Sequence, residues 1–266
     1  MKIGITGCTG RMGRMLSQAV VQADEAELIG GTEAPGSPHV GSDLAALIEG
    51  MNTPVLIGDD ARALFEAVDV VIDFTMPTAT AGHAKLAGET GTAMVIGTTG
   101  LSPEHQQHIE QAAEKAAIVQ AANYSVGVNL LLGLTEQTAA ILGEDYDIEV
   151  LEMHHRHKVD APSGTALAIG QAAANGRGVD LESVSQRVRD GITGERKAGD
   201  IGFATLRGGD VVGDHSIMFA AGTERLELTH KASHRSVFAN GAVRAGLWAG
   251  SNPPGLYSMR HVLGFE

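Results

Sequence analysis

Short apolar runs return at regular intervals through the first half of the chain, and helical stretches separate them. Residues 2–6, 26–32, 55–57, 70–75, 93–96 and 118–120 read as strands. Residues 14–21, 44–48, 61–67, 79–90 and 102–116 read as helices. Runs such as Val70-Val-Ile and Ala93-Met-Val-Ile are apolar at consecutive positions, as in strands covered on both faces. Ser102, Pro103 and Glu104 supply a cap, a first-turn proline and an acid at a helix start. Strands alternating with helices at this spacing predict an α/β fold built on a doubly wound parallel sheet.

The first strand runs straight into Gly7, Gly10 and Gly13, spaced by three, and then into a helix. Three glycines alone would mark only a tight turn. Placed between a strand and a helix, they form a variant of the dinucleotide-binding fingerprint, in which backbone N–H groups and the helix dipole receive a pyrophosphate. Glu33, at the end of the second strand, is placed to accept hydrogen bonds from an adenosine ribose. Ligands of such sheets sit beyond the carboxyl ends of the strands. The polar ends at Asp73 to Thr75, Gly97 to Thr99 and Ala121 to Tyr124 therefore fall on the cofactor side. The fold expected here is a Rossmann-type domain.

The pattern changes after Ser125. A long apolar helix covers residues 126–143, and residues 175–200 are polar and glycine-rich. Three strand-like runs then lie close together, at 201–206, 211–219 and 225–229, with Gly208-Gly-Asp and Gly222 as turn signals. This predicts a C-terminal α+β domain with a mixed sheet. A last helix, 237–249, is expected to return to the first domain. The division predicted is 1–125 with 235–266 for dinucleotide binding, and 126–234 for substrate binding and oligomerisation.

The chemistry is concentrated at residues 149–166. The stretch opens as a strand and then carries His154, His155, Arg156, His157 and Lys158 in succession. It closes on Ser163, an N-cap in front of the apolar run from Ala166 to Ile169. Three readings compete for the basic cluster. Zinc ligation is disfavoured, because neighbouring strand residues point to opposite faces and no cysteine is at hand. A solvated loop without a role is the second reading. The third is an anion site with a proton donor: a histidine gives or takes a proton near neutrality, and a lysine four residues on holds a carboxylate or donates. Ser163, Gly164 and Thr165 offer backbone and hydroxyl donors to a second carboxylate. The implied substrate is a small dicarboxylate. Hydride from a nicotinamide on the first domain and a proton from the second make a reductase, with a closing cleft that excludes water.

Composition narrows the partners. A net charge of −13 over 266 residues disfavours nucleic acid as the main partner. The single Cys8 gives no internal disulfide, no leader pattern precedes the first strand, and no apolar run reads as long enough to span a bilayer. A cytoplasmic protein with no membrane partner is expected.

Residues 149–166 resemble the signature of the 4-hydroxy-tetrahydrodipicolinate reductase family, also called dihydrodipicolinate reductases. The pattern E-[IV]-x-E-x-H-x-x-x-K-x-D-x-P-S-G-T-A is met at every fixed position. The likeness extends to Gly7–Arg14, Asp73–Thr75, Gly97–Gly100, Ala121–Asn129 and His230–Arg244, so it spans nearly the whole chain. The resemblance implies NAD(P)H-dependent reduction of 4-hydroxy-tetrahydrodipicolinate to tetrahydrodipicolinate, with loss of water, in the diaminopimelate route to lysine. It implies that Gly7, Cys8, Thr9, Gly10, Arg11 and Met12 hold the pyrophosphate and Glu33 the ribose. Phe74, Thr75, Gly97, Thr98, Thr99, Ala121, Ala122, Asn123 and Tyr124 would line the cofactor site toward the nicotinamide. His154 would be the acid–base residue and Lys158 the proton donor, with His155, Lys158, Ser163, Gly164 and Thr165 on the substrate carboxylates. It also implies a homotetramer and no catalytic metal. Another two-domain NAD(P)-dependent amino-acid dehydrogenase, or a non-catalytic dinucleotide sensor, are the alternatives.

One position departs from the family's pattern. Many members carry an arginine directly after the acid of the second strand, where a 2′-phosphate would lie; here it is Ala34, and no Lys or Arg occurs from Thr32 through Asp60. Glu33 suits free ribose hydroxyls and repels a phosphate. NADH is the predicted preference, with NADPH use open through Arg11 or Arg14.

Overall fold

Consecutive apolar residues place the first strands inside a layered fold, and helices cover both of their faces. The structure is a computed structural model and describes residues 1–266. In chain order it contains β1 (Lys2–Thr6), α1 (Arg11–Val21), β2 (Glu27–Thr32), β3 (Ile57–Gly58), α2 (Ala61–Ala67), β4 (Val70–Asp73), α3 (Pro77–Thr90), β5 (Ala93–Ile96), α4 (Pro103–Ala113) and β6 (Ala117–Gln120). These are followed by α5 (Val126–Leu142), β7 (Asp147–His154), α6 (Gly164–Arg177), α7 (Leu181–Val184), β8 (Ser185–Gln186), β9 (Ile201–Arg207), β10 (Gly213–Ala220) and β11 (Arg225–Ala232). The chain ends with α8 (Ser236–Ala249), β12 (Gly255–Tyr257) and α9 (Met259–Leu263). It divides into two compact units, Met1–Val126 with Ser236–Glu266, and Gly127–Arg235.

The first unit holds a seven-stranded sheet in the order β12-β6-β5-β4-β1-β2-β3, with every pairing parallel. Side chains alternate across it. Ile3, Ile5, Val70, Ile72, Val95 and Val119 pack on one face with residues of α1 and α8, such as Leu16, Val20, Ala242 and Ala245. Val71, Met94, Ile96 and Ile118 pack on the other with Leu64, Phe65 and Ile109 of α2 and α4. Strand order reverses between β1 and β4, which makes the ends of those two strands the ligand-binding crevice of such sheets. Tyr124 is buried beneath this edge, with its hydroxyl 2.8 Å from the Ile96 carbonyl and 2.9 Å from that of Val119.

The second unit is a mixed five-stranded sheet in the order β11-β10-β7-β9-β8. The central β7 runs antiparallel to β10 and parallel to β9. Ile148 and Val150 of β7, Phe203 of β9, Ile217 and Phe219 of β10 and Ile169 and Ala173 of α6 build its core. The glycine-rich stretch after β8 is anchored rather than loose. Arg189 makes a two-pronged contact with Glu149, and Arg196 reaches Glu149 and Asp147 at 3.0 and 2.7 Å. Glu149, a fixed position of the signature, thus holds this loop against β7.

Several boundaries differ from the sequence expectation. Helix α1 opens at Arg11 rather than residue 14, because Gly10 takes the N-cap position and Gly13 lies inside the helix. Residues 44–48 form a 3₁₀ turn, Leu44–Leu47, capped by Asp43. The strand expected at 55–57 is the two-residue β3, since Val55 donates to the Asp43 side chain and Leu56 makes only an isolated bridge. Residues 181–186, read as loop, contain α7 and β8, and the tail adds β12 and α9; all are too short for hydrophobic periodicity to reveal. Contrary to the expectation that no apolar run reaches spanning length, α5 and the 3₁₀ turn that follows it, Val126–Asp145, form one stretch of 20 residues long and apolar enough to cross a membrane by length and composition. Its buried face, including Leu131 and Ala139, belongs to the core of the second unit, while Leu130, Leu134 and Ile141 are exposed.

Candidate functional site

The first unit presents a turn shaped for an anion. Gly7 sits at φ 63°, in the left-handed region that glycine adopts without strain. A Cβ on Gly13 would come within 2.7 Å of the Cys8 backbone, so only glycine lets α1 start this close to the turn. Gly10 caps α1 without a side-chain bond, and no acid occupies the first helical turn. The N-terminal N–H groups and the positive dipole end are therefore left to an outside anion. Glu33 closes over the same turn, accepting from the Thr9 N–H and hydroxyl, both at 2.7 Å and both through one carboxylate oxygen. Burial, and then the Glu33 charge, push the Cys8 thiol up to about 12, so its nucleophilic thiolate is suppressed. These residues fit a dinucleotide: Gly7 to Met12 around the pyrophosphate, with the second Glu33 oxygen for a ribose hydroxyl. The guanidinium of Arg14 is bound to the Thr9 carbonyl at 2.8 Å, while Arg11 is exposed at the helix start.

Asp73 is the buried anchor of this end of the sheet, with no exposed surface. His83 of α3 is hydrogen-bonded to it. The hydroxyls of Thr6, Thr75, Thr80 and Thr98 lie 3.0, 2.9, 2.8 and 3.1 Å from its oxygens, and the Thr75 N–H donates at 3.0 Å. Burial alone would raise its pKa. The bond and charge of His83, then the Thr75 N–H and Thr80 hydroxyl, outweigh burial and hold the carboxyl below its usual range. Asp73 thereby clamps the loops after β4 and β5, which carry Phe74, Thr75 and Gly97 to Thr99. Phe74 packs beside Tyr124 at 5.4 Å between ring centroids. Thr98 turns its side chain into the buried network and Thr99 is exposed. Ala121 to Tyr124 follow β6; Ala122 is exposed, and Asn123 accepts from the Ser125 N–H at 2.8 Å.

The second unit carries the basic cluster. Strand β7 alternates strictly, so Ile148, Val150, Glu152 and His154 all point inward. Glu152 is 1% exposed, yet both of its oxygens are used twice. Oε2 meets His154 Nδ1 at 2.5 Å and Arg207 Nη1 at 2.8 Å; Oε1 accepts from the Ser163 N–H and Arg207 Nη2, both at 3.0 Å. Burial would raise the pKa of Glu152, and its bonds to Arg207, His154 and Ser163 bring it below the ordinary range. Burial lowers the pKa of His154. The attraction of Glu152 opposes this, Lys158 and Arg207 reinforce it, and the imidazole ends below its usual value. His215 of β10 stands edge-on to His154 at 5.0 Å and lies 3.2 Å from the Ser163 hydroxyl; burial pushes its pKa down to about 4, so it is neutral.

Ser163 caps α6 by accepting from the Ala166 N–H at 3.1 Å, and Gly164 and Thr165 open the first turn of this 14-residue helix. The loop from His155 to Pro162 leads there. It is held by backbone bonds from His155 to Val211 and from Arg156 to Gly209, at 2.8 and 3.2 Å. Lys158 pairs with Asp160 at 2.9 Å. His155 has left the strand; its Nδ1 is buried without a protein partner, and its ring lies 6.2 Å from that of His157. A histidine with a defined hydrogen-bond partner, a nearby ammonium and a helix N-terminus are groups chemically able to move a proton and to receive an anion. No group of three or more His, Cys, Asp and Glu side chains is arranged to hold a metal ion.

Two family models match almost end to end: the N-terminal part of dihydrodipicolinate reductase over residues 1–124 and its C-terminal part over 127–263. The chain belongs to the dihydrodipicolinate reductase family. Its relatives include the 4-hydroxy-tetrahydrodipicolinate reductase of Dinoroseobacter shibae, 56% identical over 262 residues, which cover 98% of this chain and 97% of the relative. The same-named protein of Afipia carboxidovorans is 52% identical, covering 99% and 97%. A solved dipicolinate-bound dihydrodipicolinate reductase from Paenisporosarcina sp. TG-14 shares the fold, with a TM-score of 0.78 at 23% identity over 97% of each chain. The dehydrogenase and sensor alternatives give way to the family match.

Sequence reading met Glu152 as a fixed position of the signature but gave it no role, and passed over Arg207 and His215 in the second unit and Thr6, Thr80 and His83 around Asp73. One signal for Glu152 was available: a carboxylate two residues before His154 on a strand shares its face. Arg207, His215 and His83 come from other elements, and only the fold brings them in.

Asp73 generates a test. Its carboxyl titrates lower in the folded than in the unfolded chain, so its stabilising contribution is complete above about pH 4 and is lost as pH falls through the folded value. Asp73→Asn is expected to lower stability at neutral pH by on the order of 3 kcal/mol, as when one member of a buried pair is removed. Urea unfolding across a pH series should show the gap from the unaltered protein shrinking under acid conditions; a gap constant with pH would refute an ionised Asp73.

Proposed function

We propose that this chain reduces 4-hydroxy-tetrahydrodipicolinate with a nicotinamide dinucleotide, using His154 and Lys158 for proton transfer. The observation carrying this reading is the Glu152–His154 pair set beside Lys158 and the N-terminus of α6. That group combines an acid–base residue with donors for a carboxylate. The relatives at 52–56% identity bear the name of this activity. When bound, the reduced nicotinamide supplies the hydride.

The chain's own residues do the rest. Gly7 to Met12 and the N-terminus of α1 hold the pyrophosphate, and Glu33 accepts from the ribose. Thr75, Gly97 and Thr99, on loops clamped by Asp73, line the nicotinamide side with Phe74 and Ala121 to Tyr124, of which Tyr124 is buried. His155, Lys158 and the first turn of α6 bind the carboxylates, and the His155 Nδ1, buried without a protein partner, is one such donor. Once the substrate hydroxyl has left as water, Lys158 gives its proton to the carbon that hydride addition leaves electron-rich, and His154, taking a proton from solvent at Nε2, helps restore it. The whole is assigned to biosynthesis of diaminopimelate and lysine. A lone buried Cys8 suits a reducing compartment such as the cytoplasm.

We further propose assembly as a homotetramer through the second unit. The exposed Leu130, Leu134 and Ile141 on α5, and Val188 and Ile192 on the anchored loop, support self-association. Light scattering should return the mass of four chains; a monomer would refute it.

Turnover tests the reaction. With freshly prepared substrate, His154→Ala is expected to lower kcat by about a hundredfold, the scale of a lost general acid or base. Pyridine-2,6-dicarboxylate, a planar dianion, should compete with substrate, and full activity in the variant would sink the assignment. Cofactor choice is a separate measurement. Glu33 is already set toward the turn, and the nearest cation after it in sequence is Arg62. We expect kcat/KM to be higher with NADH than with NADPH, and the reverse order would contradict the role given to Glu33.

A further inference from the structure

Glu152 has more donors than a spectator carboxylate needs. An ionised carboxylate offers about four lone-pair sites, and four donors occupy them: His154, Ser163 and two guanidinium nitrogens of Arg207. The proton shared with His154 therefore rests on Nδ1, because a carboxylate filled this way only accepts. That tautomer leaves Nε2 as the working nitrogen. Arg207 also reaches the Asp160 backbone carbonyl at 2.6 Å, and the Asp160 side chain holds Lys158. One guanidinium thus touches the supports of both proton-carrying residues.

We propose that Arg207 and Glu152 are positioning residues that fix the His154 tautomer and, by dividing the Glu152 charge between an arginine and a histidine, set how readily His154 takes a proton. An undivided buried carboxylate at 2.5 Å would draw a proton onto the imidazole and keep it there. A bidentate arginine spends much of that attraction and leaves the ring able to cycle between its two states. The charged and titratable groups facing His154 are Glu152 on its own strand, Arg207 on β9, His215 on β10 and Lys158 in the following loop, with Asp160 paired to Lys158. His215 is neutral and buried, and Lys158 is itself assigned proton transfer, so Arg207 and Glu152 are the charges facing His154 that can be changed without removing a proton-carrying residue.

The two residues should act in opposite directions, which loss of packing alone would not produce. This inference rests on the acid–base reading of His154, and the experiment separates the two. Imidazole titrations would be followed by NMR in the full chain, with the His154 signal assigned from its absence in His154→Gln. Arg207→Met is expected to move the His154 titration up by about one pH unit, and Glu152→Gln to move it down. Both should lower kcat by at least about tenfold while KM changes only a few-fold. Arg207→Lys keeps the charge and loses the fork, so its upward shift should be smaller. It also serves if Arg207→Met does not fold, and no upward shift in it would then overturn the proposal. Shifts in the same direction, or none, overturn it as well. If the titrations move as expected but His154→Gln keeps full turnover, the acid–base reading fails and the positioning pair stands. If turnover is lost in His154→Gln and the titrations do not move, the reverse holds.

Discussion

A carboxylate taken out of water must be surrounded by donors, and Glu152 shows what this requirement builds. It lies on the central strand of the second sheet and joins three elements: β7 through His154, β9 through Arg207 and α6 through the Ser163 N–H. An ion this deeply buried would be costly if any partner were missing. The burial that makes it costly also makes its bonds short and directional. The loop from His155 to Pro162 therefore has a fixed origin at His154 and a fixed landing at Ser163. The basic residues it carries are placed by these ends together with the backbone bonds of His155 and Arg156 and the pairing of Lys158 with Asp160.

The first unit uses a similar device. Asp73 ends β4 in the crevice beside β1 and draws in hydroxyls from β1, from the loops after β4 and β5, and from α3, together with His83. In both units the buried acid belongs to an inward position near the carboxyl end of a strand, where rigid sheet gives way to loops that meet ligands. An imidazole and a backbone N–H serve both acids, but hydroxyls complete the shell of Asp73 and a guanidinium that of Glu152. Asp73 is accordingly a clamp on loops, and Glu152 is in addition electrically coupled to the residue assigned the chemistry.

Much of this was readable in the chain itself. Consecutive apolar residues at 70–72 and 93–96 announced strands buried on both faces, and glycine spacing announced the turn before α1. The capping serine at residue 163 marked the start of α6 to the residue, because a local side-chain bond decides it. Elements stabilised by their neighbours were not readable. The two residues of β8, the three of β12 and the four of α7 are too short to carry a period and exist because a sheet edge or core receives them. The polar stretch after β8 read only as glycine-rich, and its anchor, Glu149, was not legible because it lies some forty residues upstream.

The sequence by itself determined the alternation of strand and helix, the glycine turn at Gly7 to Gly13, and the order of imidazoles, ammonium and helix start from His154 to Thr165. All of these are written in residues near one another, where pattern and local bonding govern. Tertiary structure alone decided which charges share a buried site. Arg207 and His215 reach His154 by strand pairing across β9 and β10, and His83 reaches Asp73 by the packing of α3. Strand register places those side chains, and register follows from the packing of the whole apolar core rather than from any one stretch of chain.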